Sequence, residues 1–417
     1  MPGLREFIKQ WSIKAYCNMA YVKTPKILLP KAGIDLTKWA VIACDQFTSE
    51  PEYWNTLKQF VDGVPSTYHL ILPEVFLQKD AYIQINQVNH NMEKYLTHHL
   101  FDEEECMILV ERKTPFTSRR LGLVLMIDLD EYVYEEGKVS KIVASEKTVK
   151  ERIPPRVKIR ENAPIESPHV LVLIDDLEDR IIEELYLSKE HYPIVYDFEL
   201  NMSGGHLKGY KIKDTDSIIS KLETNLDEIK MIVGDGNHSL ASAKVCWETI
   251  KSTLTEEEKI LHPQRFALVE VISLYDDGLT FEPIHRVLFH PDADFIPKLT
   301  NALDGEESLS IIEKNKTHYV KVPDNPFTTI KLIQDFLDEY LEQHPETKID
   351  FVHGLDSLKT VVKENPGSIG ITFPPLKRDE LFPYVKLHGV LPRKSFSLGE
   401  AREKRYYMEC RKIQKGE

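Results

Sequence analysis

Short apolar runs alternate along this chain with stretches in which apolar residues return every three or four positions. The runs predict strands and the stripes predict helices, because side chains alternate faces along a strand and recur near 3.6 residues on a helix. "WAVIACDQF" (39–47) reads as a buried strand ending at Asp45, and "SEPEYWNTL" as the start of a helix with Ser49 as its N-cap. Residues 80–100 carry a helical stripe through Ile85, Val88, Met92 and Tyr95. "RLGLVLMIDLDEYVY" (120–134) and "KVSKIVASE" are strand material on either side of a turn at Glu135-Glu136-Gly137. "SPHVLVLIDDLEDRIIEELYL" (167–187) predicts a strand, then Asp175 or Asp176 capping a helix. A hairpin is expected around Gly204-Gly205, a short helix over 216–228 and a strand over Lys230–Val233.

The stretch "MIVGDGNHSLASAK" (231–244) then bends sharply into a helix whose Leu240, Ala243, Trp247 and Ile250 share a face. "RFALVEVISLY" (265–275) follows as a strand, so strand, helix and strand suggest a βαβ unit with a right-handed crossover. "DDG" (276–278) turns the chain into "LTFEPIHRVLF". A boundary is placed near 291, giving a main domain over 1–290 and a C-terminal domain over 291–417. In the second, "TTIKLIQDFLDEYLEQH" (328–344) is an amphipathic helix and "IGITFPP" a strand. The basic tail from 398 is read as helical with a solvated face.

At 417 residues the chain exceeds what one core usually serves, which favours two domains. A hydrophobic content of 42% and a charged content of 29% describe a globular protein. No apolar run reaches the ~18 residues of a membrane helix, and the opening stretch has no long apolar core, so neither a membrane span nor a secretory signal is expected. Five cysteines at 17, 44, 106, 246 and 410 form no CxxC pair, and we read them as reduced thiols of a cytoplasmic protein, with Cys44 and Cys246 in the core. A net charge of −14 argues against general nucleic-acid binding, which depends on neutralising phosphates. An anionic metabolite remains suitable wherever cations cluster. Composition leaves the oligomeric state open.

Four places carry candidate chemistry. At the bend, Gly234 and Gly236 allow close approach, and the first helical amides favour an anion. His238 suits proton transfer or a phosphate contact, while Asp235 suits Mg²⁺ or a hydroxyl proton. The same residues also suit a plain turn in which Asn237 caps the helix, and residue types alone leave both readings open. The second place is 144–176, where Arg152, Arg156, Lys158 and Arg160 crowd a loop with two prolines, flanked by Glu146, Glu166 and His169. Guanidinium groups match phosphate or carboxylate in a two-bond fork, although a charge run is usually a solvated face. The third is His285-Arg286, and the fourth is Lys394-Ser395 in "HGVLPRKSF"; a structural role is the plainer reading of both. No HExxH, Walker or GxSxG motif occurs, which leaves zincin, P-loop and α/β-hydrolase readings without support.

Taken in order, "WAVIACDQ", "ERIPPRVKIRENAPIESPHVLVLIDD", "ELNMSGGHLKGY", "VGDGNHSLASAK", "GLTFEPIHR" and "LPRKS" resemble the DUF1015 family over most of the chain. Its Asp-Gly-x-His signature falls on Asp235, Gly236, Asn237 and His238, its Pro-x-His-Arg element on Pro283, His285 and Arg286, and its Pro-x-Lys-Ser element on Pro392, Lys394 and Ser395. The signature in turn resembles that of the ParB and sulfiredoxin superfamily, which includes free serine kinases. That resemblance implies a mixed α/β fold with a ParB/sulfiredoxin-like core, a mixed sheet and a smaller C-terminal α+β domain. It also implies a nucleotide or phosphorylated small molecule held at 234–239, with phosphoryl transfer or phosphate-ester hydrolysis, ATP or ADP and Mg²⁺ as cofactors, and free serine as the specific substrate candidate. Gly234, Gly236, Asn237 and Ser239 would bind phosphate with Arg156, Arg160, His169, His285, Arg286, Lys394 and Ser395. Asp235, His238, Glu146 and Asp45 are the candidates for catalysis. Superfamily members commonly place Arg directly after the motif histidine; here it is Ser239, and a strong phosphate contact is lost. "SFSLGEAREKR" also departs from the family's usual C-terminal stretch. The alternative is a non-catalytic nucleotide- or metabolite-binding regulator. A sulfiredoxin-type redox role is weak, because no cysteine stands at 234–239.

Overall fold

The strand Leu171–Ile174 organises the layout, and all four of its residues are buried. Leu171 and Leu173 enter one apolar core, while Val172 and Ile174 enter another on the opposite face. A strand covered on both faces needs no polar alternation, so it reads as one apolar run. The computed structural model describes residues 20–77, 81–177, 180–224 and 228–414, and places this strand inside a ten-stranded mixed sheet. The order across the sheet is Ile194–Leu200, Gly205–Ile212, Met107–Lys113, Arg120–Asp128, Phe266–Ser273, Leu171–Ile174, Met231–Asp235, Ile142–Ala144 and Tyr132–Val133. Val22–Lys23 pairs with Arg120–Asp128 off this path. The fold is mixed α/β. Cys17 lies outside the described residues; Cys44, Cys106, Cys246 and Cys410 are free thiols.

Phe281–Phe289 joins a second sheet of six strands with Glu307–Glu313, Lys316–Val322, Lys348–His353, Ile369–Ile371 and Phe396–Leu398. The break expected near 291 lies just past its first strand. One apolar core joins both sheets: Leu171 and Ile232 of the first pack in the same cluster as Leu288, Ile311 and Leu398 of the second.

Several local expectations change. Met231–Asp235 is antiparallel to Leu171–Ile174, which is parallel to Phe266–Ser273. The helix Asn237–Lys251 therefore joins strands of opposite direction, and the expected βαβ crossover does not form. The strand expected over 39–47 shrinks to Val41–Ile42, because Leu36–Trp39 is helical. The next helix starts at Pro51 after Glu50, so Ser49 is not its cap; proline at the first turn needs no donor there. The basic stretch of the second candidate place is the helix Ile153–Arg160 rather than a loop, again opened by prolines. The helix Ile181–Leu187 has Arg180 at its N-cap with no side-chain cap bond, so neither Asp175 nor Asp176 caps it as expected; Asp176 instead accepts from Ser273 Oγ. The helix expected over 216–228 is Asp216–Thr224, with 225–227 outside the described residues.

The largest correction concerns the tail. Among its described residues only the turn Ala401–Glu403 is helical and most are buried: Tyr406–Tyr407 pairs with Val41–Ile42, and Arg411–Lys412 pairs with Ile165–Glu166. Tyr406, Tyr407, Met408, Cys410 and Ile413 are buried in the core that holds Trp39 and Trp54. The tail's charges go inside with them. Arg405 meets Glu270 and Glu409 at 2.6 Å each, and gives a third bond to the Pro168 carbonyl. Arg411 meets Glu166 at 2.6 Å, and Glu166 also takes Arg160 at 2.5 Å. Tertiary pairing overrides the helical periodicity, since these charges find partners only in the strand arrangement.

Breaking a buried ion pair from one side leaves an uncompensated charge, which typically costs about 3–5 kcal/mol. Arg405→Ala is therefore expected to lower unfolding stability by roughly that amount in a denaturant titration. Lys138→Ala removes an exposed pair with Glu135 and should change it by no more than about 0.5 kcal/mol. Equal effects of the two would contradict the buried network.

Candidate functional site

The quoted bend is built by two glycines. A Cβ on Gly234 would stand 2.6 Å from Leu398 Cδ1, so only glycine lets the second sheet's last strand approach. Gly236 has a φ of 80°, in the left-handed region that glycine reaches without strain, and it is the N-cap of the helix Asn237–Lys251. Asn237 is thus the first helical residue and not the cap. Its Nδ2 donates to Ser145 Oγ at 3.2 Å, and its buried Oδ1 has no partner. Asp235 accepts the amide of Gly236 at 2.9 Å and pairs with Lys404 of the tail at 3.2 Å. His238 Nε2 accepts the amide of Val149 at 3.2 Å, which places its ring proton on Nδ1. Burial, then the charges of Arg156 and Arg152, push His238 down to about 4, so it is neutral at physiological pH.

Beside the bend stands a second polar cluster. Asp45 takes a hydrogen bond from Gln46 at 2.9 Å, and its Oδ2 lies 3.7 Å from His169 Nε2. The other ring nitrogen of His169 meets Tyr407 Oη at 2.7 Å, and that oxygen accepts the amide of Cys44 at 3.2 Å. Burial raises the Asp45 carboxyl, but His169, the Gln46 hydrogen bond, Lys404 and Lys394 outweigh it and keep it ionised. Glu146 accepts the backbone amide of Lys394, and burial raises its carboxyl despite the Lys394 charge. Burial and then Asp45 push the Cys44 thiol up to about 12, which leaves it protonated and unreactive.

A cavity of about 130 Å³ opens against this cluster. Its polar lining is Glu74, Arg156, Arg160, Glu166, Ser167, His169, Ser239, Ser242 and Tyr407, and the rest is mostly aliphatic. Arg156 is tied to Glu74 and to the Arg152 carbonyl. Among the described residues no trio of His, Cys, Asp or Glu stands in a metal-holding arrangement.

The structure thus gathers Asp45, Glu146, Arg156, His169, Gly234, Asp235, Gly236, Asn237, His238, Ser239 and Lys394 around one helix start. It turns the other candidates inward. Arg160 lines the cavity but is held by Glu166. His285 Nδ1 accepts the amide of Phe373. Arg286 is fully buried, bonded to Gln334 and to the Ile284 and Arg393 carbonyls, and sandwiched by Phe351 and Phe373. Ser395 Oγ donates to the Pro392 carbonyl. Sequence reasoning missed Lys404, Tyr407 and His353. The run Tyr-Tyr-Met at 406–408 was the available signal, since three apolar residues in succession suit a buried strand better than a solvated helix face.

The family model for a protein of unknown function, DUF1015, matches residues 28–358. The chain belongs to the DUF1015 family. None of the curated proteins matches it. Among solved structures it is similar to a free serine kinase variant in complex with ADP, at 10% identity and a TM-score of 0.40, covering 70% of this chain and 92% of that one. It is also similar to a conserved hypothetical protein from Pyrococcus furiosus, at 10% identity and a TM-score of 0.37, covering 70% and 95%. A third is SbnI with C-terminal truncation from Staphylococcus aureus, at 9% identity and a TM-score of 0.36, covering 66% and 82%. Among the described residues no helix is long and apolar enough to cross a membrane.

The two neutral histidines give this cluster a pH signature. His353 is also pushed down to about 4, by burial and then by Lys404, Lys394 and His285. Unfolding frees each imidazole to take up a proton near its ordinary value of about 6.5, which the folded state refuses until about 4. This contribution to stability is full above about 6.5 and is lost as pH falls towards 4. His238→Gln should therefore narrow the gap between urea midpoints measured near pH 5 and pH 7. An unchanged gap would show that His238 is not held neutral.

Proposed function

We propose that this chain binds a nucleotide or phosphorylated small metabolite at residues 234–239 and transfers a phosphoryl group to a small hydroxylated acceptor, on a ParB/sulfiredoxin-like core. The observation that carries this reading is the uncapped start of the helix Asn237–Lys251, set beside Arg156 and Lys394 and against the cavity of about 130 Å³. The helix's first amides lack internal partners and favour an anion. The basic side chains would balance charge on the transferring group. Free serine is the specific acceptor candidate, by superfamily resemblance alone.

Asp235 is already paired with Lys404, so it would serve turnover by fixing the phosphate-holding loop and not as the base. Glu146, with its raised carboxyl, is the better base, because a general base works best with a pKa near the working pH. It would take the acceptor's proton as the new P–O bond forms and the bond to the leaving phosphate oxygen breaks. Asp45 stays ionised and would orient the hydroxyl with His169. A resident metal finds no donor trio here, but Mg²⁺ arriving on nucleotide phosphates needs only one or two carboxylates, for which Glu146 and Asp45 are the candidates.

A second reading is a non-catalytic sensor. Its support is that both polar side chains of the motif are engaged, Asp235 by Lys404 and His238 by Val149. The two readings separate in one assay of ATP turnover with serine and other small hydroxy acids. Catalysis predicts that Glu146→Gln lowers kcat by about 10²–10⁴-fold while nucleotide still binds. It also predicts that Asp235→Asn and His238→Ala lose turnover with the fold intact. Saturable nucleotide binding with no turnover under any metal would establish the sensor instead.

A further inference from the structure

Past the short helix Thr67–Leu70, the segment Ile71–Pro73 carries unused hydrogen-bonding groups. His69 gives its carbonyl to Asn91 Nδ2 at 3.0 Å, the Pro73 carbonyl accepts from Phe76 at 2.9 Å, and Glu74 donates to the Cys44 carbonyl at 2.8 Å. Between them, no bond to the main chain of Ile71 or Leu72 occurs among the described residues. Both residues are buried, at 8% and 7% exposure, and both line the 130 Å³ cavity. Unpaired main-chain groups at a buried position are uncommon and call for a partner. Ile71 is extended, with φ −129° and ψ 162°. In that conformation its own N–H and C=O point the same way, as in a strand residue that exchanges both bonds with a neighbour.

We propose that Ile71 is the edge-reading residue of a purine slot, and that the slot takes the adenine base of a nucleotide whose phosphate lies at the start of the Asn237 helix. The phosphate end of this assignment rests on the function proposed above; the base end does not. Adenine offers a donor and an acceptor side by side on one edge, the complement of one extended residue. The faces of the ring meet the aliphatic walls, which include Leu77, Met92, Ile159 and Ile165. Ser239 and Ser242, in the first two turns of the helix Asn237–Lys251, line the same cavity, so it runs from Ile71 to the helix start where the phosphate is placed. A peptide strand, which could also pair with Ile71, is too large for this volume. Hypoxanthine presents its donor and acceptor in reversed order on that edge, and with the ribose direction set by the phosphate it cannot satisfy Ile71.

The test is titration of AMP, adenosine and inosine monophosphate into the full chain, read at the backbone amide resonances of Ile71 and Asn237. AMP is expected to shift both, adenosine to shift Ile71 alone, and inosine monophosphate to bind at least about tenfold more weakly than AMP, the cost of one unsatisfied buried group. Ile159→Trp fills the slot from a half-buried position and is expected to abolish adenosine binding without changing the free protein's spectrum elsewhere. If that variant fails to fold, Leu77→Trp serves the same purpose. AMP binding that shifts Asn237 and leaves Ile71 unmoved would overturn the purine slot and leave the phosphate loop standing. A shift at Ile71 without one at Asn237 would support the slot and overturn the phosphate assignment. Equal affinity for AMP and inosine monophosphate, or no binding of adenosine, would also overturn the slot.

Discussion

The buried charge of Arg405 is the constraint on which the rest of this molecule depends. A guanidinium in an apolar interior needs opposite charge and full hydrogen bonding, and it finds them only where Glu270, Glu409 and the Pro168 carbonyl converge. That requirement draws the C-terminal segment across the large sheet. Its neighbours in sequence are carried along, so Lys404 reaches Asp235 and Tyr407 reaches His169. Two residues of the candidate site are thus delivered by the element that closes the core.

The arrangement around the helix start is one of near-balanced charge in a half-buried place. Asp235 is matched by Lys404, Arg156 by Glu74, and Glu146 is neighboured by Lys394. His238 and His353 are held neutral by burial and by the surrounding cations. The lysine at 394 keeps a side chain exposed to solvent while its backbone holds Glu146, so a cation stays available to an incoming anion. In the proposed site Arg156 would stand in for the arginine missing after the motif histidine, once its pairing with Glu74 loosens.

Much of this was legible in the chain. Strands buried on both faces, such as Leu171–Ile174, announce themselves as apolar runs, and the long stripe at 328–344 became the helix Pro326–Gln343. The Gly-Asp-Gly bend was readable because glycine at a left-handed position has a single conformational reason. What failed depended on partners far away in sequence. The direction of Met231–Asp235 relative to Phe266–Ser273 is set by the strand between them, which local pattern cannot see. The tail misled because charged residues normally mean solvent, whereas here Arg405 and Arg411 have buried counter-charges. Arg286, His285 and Ser395 sit in motif elements, and their polar atoms bond within the fold, with the Arg286 charge also acting on Glu146; such long-range partners are not readable from a motif.

The central claim is that the start of the Asn237 helix is an anion site, with Ser239, Arg156 and Lys394 around it. The measurement that tests it most directly is a crystal structure of the chain grown with ADP. The account predicts a phosphate within hydrogen-bond distance of the amides of Asn237, His238 or Ser239. ADP bound with its phosphates away from that helix start would contradict it.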